Sequence, residues 1–195
     1  MKPIITICML WLTVAAQGQS VTAVADVAKE LLHIVELNPT EKGMSDRINR
    51  VLDGALDVFV SGAVPVDSEA ETGIAALLRE IDTELYSDPQ EARRMEQRRM
   101  NCQLALALLS DGKKRERWMK RAEQGKGKDK ELSGAYVGVL FVRLLFLLKG
   151  NDGNTEELLR EIEHDLRENK EYIPGKLADG CREVIRCTED CNKND

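Results

Sequence analysis

Ala135-Tyr-Val-Gly-Val-Leu-Phe-Val-Arg-Leu-Leu-Phe-Leu-Leu148 decides the fold. A segment of this length that is apolar around its whole circumference belongs at the centre of a helix bundle, because an ordinary surface helix keeps one polar face. It falls short of the roughly 20 residues a membrane-crossing helix needs. A central helix is therefore expected near residues 132–149, closed by Lys149-Gly150. Arg143 is its one charge and must reach a carboxylate or the surface along its aliphatic stem.

Working outward, apolar residues recur at helical spacing on both sides, and no segment alternates with the period of a strand. Downstream, Asn154 and Glu157 outline a capping box before Leu158, Leu159, Ile162 and Leu166. A last helix starting near Pro174 presents Leu177, Cys181 and Val184. Upstream, one stripe runs through Val24, Val27, Ala28, Leu31, Ile34 and Val35, ending at Asn38-Pro39. A second joins Ile48, Val51, Leu52, Ala55, Leu56 and Phe59, ending at Gly62. A third joins Ile74, Leu77, Leu78, Ile81 and Leu85. Pro89 opens a helix that turns apolar from Leu104 to Leu109, and a short basic helix surrounds Trp118. Gly125-Lys-Gly-Lys-Asp129 is expected to be an exposed loop. The expectation is an all-α, single-domain bundle of about seven helices.

The first residues have the layout of a secretory signal peptide: Lys2, an apolar run from Ile4 to Val14, and Ala-Gln-Gly before a cut after Gly18. Residues 1–18 are thus expected to leave, and 19–195 to form one secreted, extracellular domain. Four cysteines then remain: Cys102, Cys181, Cys187 and Cys191. An even number in an exported chain predicts two disulfides. Helical phase turns Cys102 and Cys181 inward, so they are paired. Cys187 and Cys191 are left, and their bond needs the last helix to fray, since residues four apart in a helix sit ~5–6 Å apart at Cβ. A zinc site is not expected, because only the Cys187/Cys191 spacing suits one.

No nucleophile elbow, phosphate loop, dinucleotide-binding glycine pattern or zinc-protease motif occurs. His33 and His164 stand without a catalytic constellation and read as boundary residues. The paired carboxylates lie on outward helix faces. The expectation is no enzyme, no cofactor and no metal.

Charge is segregated. After loss of Lys2 the chain carries 27 Lys+Arg against 34 Asp+Glu, a formal −7, which gives no general attraction to nucleic acid. Between Arg93 and Lys130, however, there are 13 basic and 5 acidic residues, a local +8, leaving −15 elsewhere. Arg93, Arg94, Arg98, Arg99, Lys113, Lys114, Arg115, Arg117, Lys120 and Arg121 form a candidate partner-binding face. The basic doublets in this stretch also outline prohormone-type cleavage sites. The functional expectation is a secreted, non-enzymatic binding protein that acts through a helix face on an extracellular protein or acidic polymer. Peripheral membrane contact is an option, but no transmembrane segment is expected. The alternatives are a carrier of small apolar ligands and a membrane-active effector or toxin.

Overall fold

The computed structural model describes residues 21–35, 39–63, 68–83, 88–150 and 155–192. They form eight α-helices and one 3-10 turn, with no strand among the described residues. In order these are α1 (21–32), α2 (Pro39–Ser61), α3 (Ser68–Thr83), α4 (Pro89–Leu108) and α5 (Gly112–Ala122). The 3-10 turn (Lys130–Leu132) leads into α6 (Ser133–Gly150), then α7 (Thr155–Glu168) and α8 (Gly175–Asn192). The protein is an all-α helical bundle with one helix more than the sequence suggested.

Local chemistry explains several boundaries. Pro39, whose missing N–H suits a first turn, opens α2 only a few residues after α1 has ended. Gly62 leaves α2 at φ 70°, a conformation that costs glycine little. Asp88 caps α4 by accepting from the Gln90 N–H at 3.0 Å, with Pro89 next to it. At its far end α2 is held by Lys149, whose Nζ donates to the carbonyls of Phe59 and, at 2.8 Å, Val60.

The core has two axes rather than one. Residues Ala135 to Val142 of α6 are buried, as expected of the central helix. The second half of α4 is equally enclosed: every residue from Met100 to Leu108 is buried, because α2, α3 and α5 pack around it. On the other side α7 packs along α6. Helix α1 joins the two groups. Its Leu31 and Leu32 press on Gly138 of α6, where a Cβ would lie 2.7 Å from Leu32 Cγ. Its Leu32 carbonyl accepts from Asn101 Nδ2 of α4 at 2.8 Å. Lys29 reaches Asp57 of α2 at 2.6 Å, and His33 Nε2 lies 2.9 Å from Asp53.

The two expected disulfides are not formed. Cys102, Cys181 and Cys187 are free thiols, and the side chain of Cys191 lies outside the described residues. Cys102 and Cys181 do point inward, but into different parts of the core. The charges acting on Cys102 are Arg47 of α2 and Asp82 of α3, whereas those on Cys181 are Arg182 of its own helix and Glu30 of α1. Burial pushes both thiols up to about 12, so they act as small apolar side chains and not as nucleophiles. The last helix does not fray at Cys187, because α8 continues to Asn192. Its buried stripe is Ala178, Cys181, Ile185 and Thr188, while Leu177 and Val184 are only half-buried.

Two other expectations change. Lys130–Gly150 forms 21 residues of helix that are long and apolar enough to cross a membrane, more than the 14-residue run suggested, and 61% of its apolar window is buried inside the bundle. The Gly125–Asp129 stretch is no free loop. Asp129 takes the Arg93 guanidinium at 2.6 Å, and Lys126 pairs with Glu161 at 2.6 Å and Asp165 at 2.8 Å. The expected signal peptide and the Asn154 cap lie outside the described residues.

Two glycine substitutions separate packing from propensity. Gly138→Ala should destabilise by about 1–3 kcal/mol, since buried Leu32 cannot retreat. Gly54→Ala, exposed and with nothing within 4 Å, should stabilise by about 0.5–1 kcal/mol. Thermal melting of both variants checks the pair; a neutral Gly138→Ala would place α1 further from α6. For the cysteines, alkylation in denaturant without reductant should label Cys102, Cys181 and Cys187. Protection of any of these until a reductant is added would restore a cross-link.

Candidate functional site

The ten basic residues of the candidate face divide into two groups once α4 and α5 pack together. Six are engaged within the fold. Arg93 bridges Asp129 and, at 2.8 Å, Glu131. Arg94 is half-buried and engaged. Arg98 shares the inward phase of Met95 and Cys102 and is 2% exposed; it donates to Ser45 Oγ at 3.0 and 3.2 Å and to Met95 Sδ at 3.0 Å. Arg99 donates to Asp82 at 2.7 Å and to Glu96. Lys114 pairs with Glu71. Arg115 donates to the Ser110 carbonyl at 3.0 Å and lies over the rings of Phe146 (4.7 Å) and Phe59 (5.5 Å). These six are not available as a docking face, and the basic doublets all lie within helices.

The other four share the outer side of α5. Lys113, Arg117, Lys120 and Arg121 are exposed, and none has an ion-pair partner among the described residues. Residues 113, 117 and 120 stand four and three apart, so their side chains follow one line along the helix over about 10 Å. Arg121 lies 4.8 Å above the half-buried Trp118 ring. The apolar residues of α5, Met119 and Ala122, face the core. That phase puts the four cations on the outer face, with exposed Glu116 among them, three residues from Lys113 and four from Lys120.

Beside this face is a cleft of about 590 Å³ between α4, the turns after α5 and the start of α6. Arg99, Gln103, Gly125 and Tyr136 line it, with Arg121 and Lys128 at its edge. Gly125 is required here, because a Cβ would fall 1.7 Å from the Tyr136 hydroxyl. Burial pushes the Tyr136 phenol up to about 12, and the charges of Glu96 and Asp129 add to the shift. Sequence reasoning missed the cleft. In the sequence Tyr136 is one more residue of the apolar run, and Gly125 belongs to a stretch that reads as a free loop. The local signal was Asp129, which caps the 3-10 turn by accepting from the Glu131 N–H at 3.0 Å.

A second hollow, about 460 Å³, surrounds Arg143. The arginine reaches its carboxylate, as the sequence required: Nη2 donates to Glu123 Oε2 at 3.2 Å, with Oε1 3.0 Å away but poorly aligned. Burial raises the Glu123 carboxyl above its usual range, Arg143 opposes this, and Glu161 and Glu116 reinforce it. The floor is Met119, Phe146, Leu147 and Leu158. Among the described residues no cluster of three or more His, Cys, Asp or Glu is arranged to hold a metal ion. Comparison with family models, with curated proteins and with solved structures finds no match to this chain.

The Glu123–Arg143 pair carries a pH signature. A carboxyl raised in the fold contributes stability that is full below its unfolded range and is lost as pH rises through the raised value. Arg143 offsets that loss, so Arg143→Met should lower thermal stability at pH 7, by about 0.5–1 kcal/mol for so exposed a pair. At pH 4 the gap between variant and parent should narrow. An equal deficit at both pH values would mean that Arg143 matters for packing alone.

Proposed function

We propose that this is an exported, non-enzymatic binding protein that holds an acidic polymer, a sulfated or carboxylated polysaccharide, on the outer face of α5. The observation that supports this most directly is the division of the basic segment. Six cations are consumed by the fold, while Lys113, Arg117, Lys120 and Arg121 stand exposed and unpaired along one helix side. A row of cations on one line suits a linear polyanion, whose charges it meets at successive turns.

The other occupants fit this face less well. A helix that lies on a membrane presents apolar residues to the acyl boundary, whereas the apolar residues of α5 are turned into the core. A protein interface wants a buried aromatic or aliphatic centre. The exposed large hydrophobics among the described residues, Val35 and Tyr172, lie on neither α4 nor α5. A carrier of apolar ligands would use an apolar cavity, and both hollows carry charged side chains in their walls. Export rests on the composition of residues 1–18 alone, since the free thiols remove the argument from disulfides.

The test is retention on immobilised heparin as salt is raised. The parent should bind at low salt and elute near or above an ionic strength of about 0.15 M, where screening shortens to ~8 Å. Lys113→Ser/Arg117→Ser/Lys120→Ser should pass through at that salt with its melting temperature unchanged, because these side chains hold nothing in the fold. Equal retention of this variant would move the site elsewhere. Binding instead to anionic vesicles would favour the membrane reading.

A further inference from the structure

We propose that the cleft beside α5 seats one sugar ring bearing an anionic group, so that the exposed cations hold the chain and the cleft selects a residue within it. This rests on the polysaccharide reading for the class of ligand. The geometry of the cleft is independent of it.

Two polar side chains carry the argument. Tyr136 is 4% exposed and Gln103 is 9% exposed, and both line the hollow, with no hydrogen bond from the phenol or the amide to another described residue. Their bodies are packed into the bundle while their polar ends are left to the hollow, where a ligand can meet them. The opening to the phenol is deliberate in chemical terms: Gly125 lacks the one atom that would close it, at 1.7 Å from the hydroxyl and 3.0 Å from Cζ.

The remaining groups are already oriented. Arg99 is fixed by Asp82 through Nε and by Glu96 through Nη1, and its Nη2 is not used in either bond. Glu96 gives Oε2 to Arg99 and keeps Oε1 on the Gly125 side, 3.3 Å from where a Cβ would be. Donors and acceptors fixed in advance cost less to order when a ligand arrives. A sugar hydroxyl both donates and accepts, and an amide, a phenol and a carboxylate answer it in both senses. Arg121 and Lys128 at the edge, without ion-pair partners among the described residues, would take the sulfate or carboxylate. The volume of about 590 Å³ is that of a small-ligand site. An inorganic anion alone would leave Gln103 and Tyr136 unanswered. A metal ion would find Glu96 and Asp129 already engaged with arginines.

The experiment is calorimetric titration of the full exported chain with a sulfated uronic disaccharide, its desulfated form, glucose and inorganic sulfate. The sulfated disaccharide should bind. Tyr136→Phe should weaken it at least tenfold while leaving the melting temperature equal or higher, since the hydroxyl has no protein partner to lose. Gly125→Ala should abolish binding. Lys113→Ser/Arg117→Ser/Lys120→Ser should still bind the disaccharide while losing heparin retention, and Tyr136→Phe should keep most of that retention. Disaccharide binding that is absent in the parent, or unchanged in Tyr136→Phe, overturns the cleft and leaves the face standing. Equal binding of inorganic sulfate or glucose overturns the assignment to an anionic sugar. Absence of heparin retention in the parent sinks the face, and disaccharide binding then stands or falls by itself.

Discussion

The bundle depends on how the end of α1 is satisfied. This helix keeps Thr22, Asp26 and Glu30 outside and turns a broad apolar face inward, with Val24, Ala28 and Leu32 fully buried, and it sits between the α4 group and the α6 group. The last carbonyls of a helix have no partner within it, and one that is buried and left unbonded costs about 1–3 kcal/mol. Asn101 supplies the missing donor to Leu32 at 2.8 Å, helped by Gln97 at 3.3 Å. Asn49 does the same for Ile34 on both sides of the chain, accepting from its N–H and donating to its carbonyl at 3.1 Å each. Three polar side chains on α2 and α4 therefore hold one apolar helix in register, and Gly138 lets α6 close on it from the other side.

The same demand for partners explains the fate of the basic segment. Once α4 is enclosed, any arginine with inward phase must find hydrogen-bond acceptors where it lies. Arg98 is buried against Ser45 and Met95, and Arg93 and Arg99 find carboxylates on neighbouring segments. Those bonds fix the Gly125–Asp129 turns and orient the cleft wall. Only after they are made does a residue of positive charge remain outside, on the half of α5 that packing does not use.

Much of this was legible in the sequence because it is local. The all-round apolar run at Ala135–Leu148 announced a core helix, and Arg143 within it announced a carboxylate, which proved to be Glu123. The stripes of α1, α2, α3 and α7 were visible for the same reason, although α1 stops at Leu32 and leaves Val35, read as part of its stripe, 81% exposed. Phase alone could not say which neighbour an inward residue meets. Cys102 and Cys181 shared that inward direction, yet one faces α2 and α3 and the other α1. The cleft was hidden by the same limit. Arg93 and Asp129 are 36 positions apart, and nothing near either residue points to the other. Tyr136 looked apolar by company, and only its approach to Gly125 sets its hydroxyl apart.

Net charge is a poor guide to this surface. With a formal charge of −6 over all 195 residues, the chain as a whole repels polyanions, and the sequence-wide number alone argues against such a partner. Screening makes the local pattern decisive, because at ~0.15 M ionic strength a charge is felt over only ~8 Å. On the α5 face the exposed cations Lys113, Arg117, Lys120 and Arg121 outnumber the one exposed carboxylate among them, Glu116. A ligand held by the exposed row would lie across the mouth of the cleft, since Arg121 belongs to both. The face and the cleft are thus two parts of one arrangement, set by which side of α5 the core leaves free.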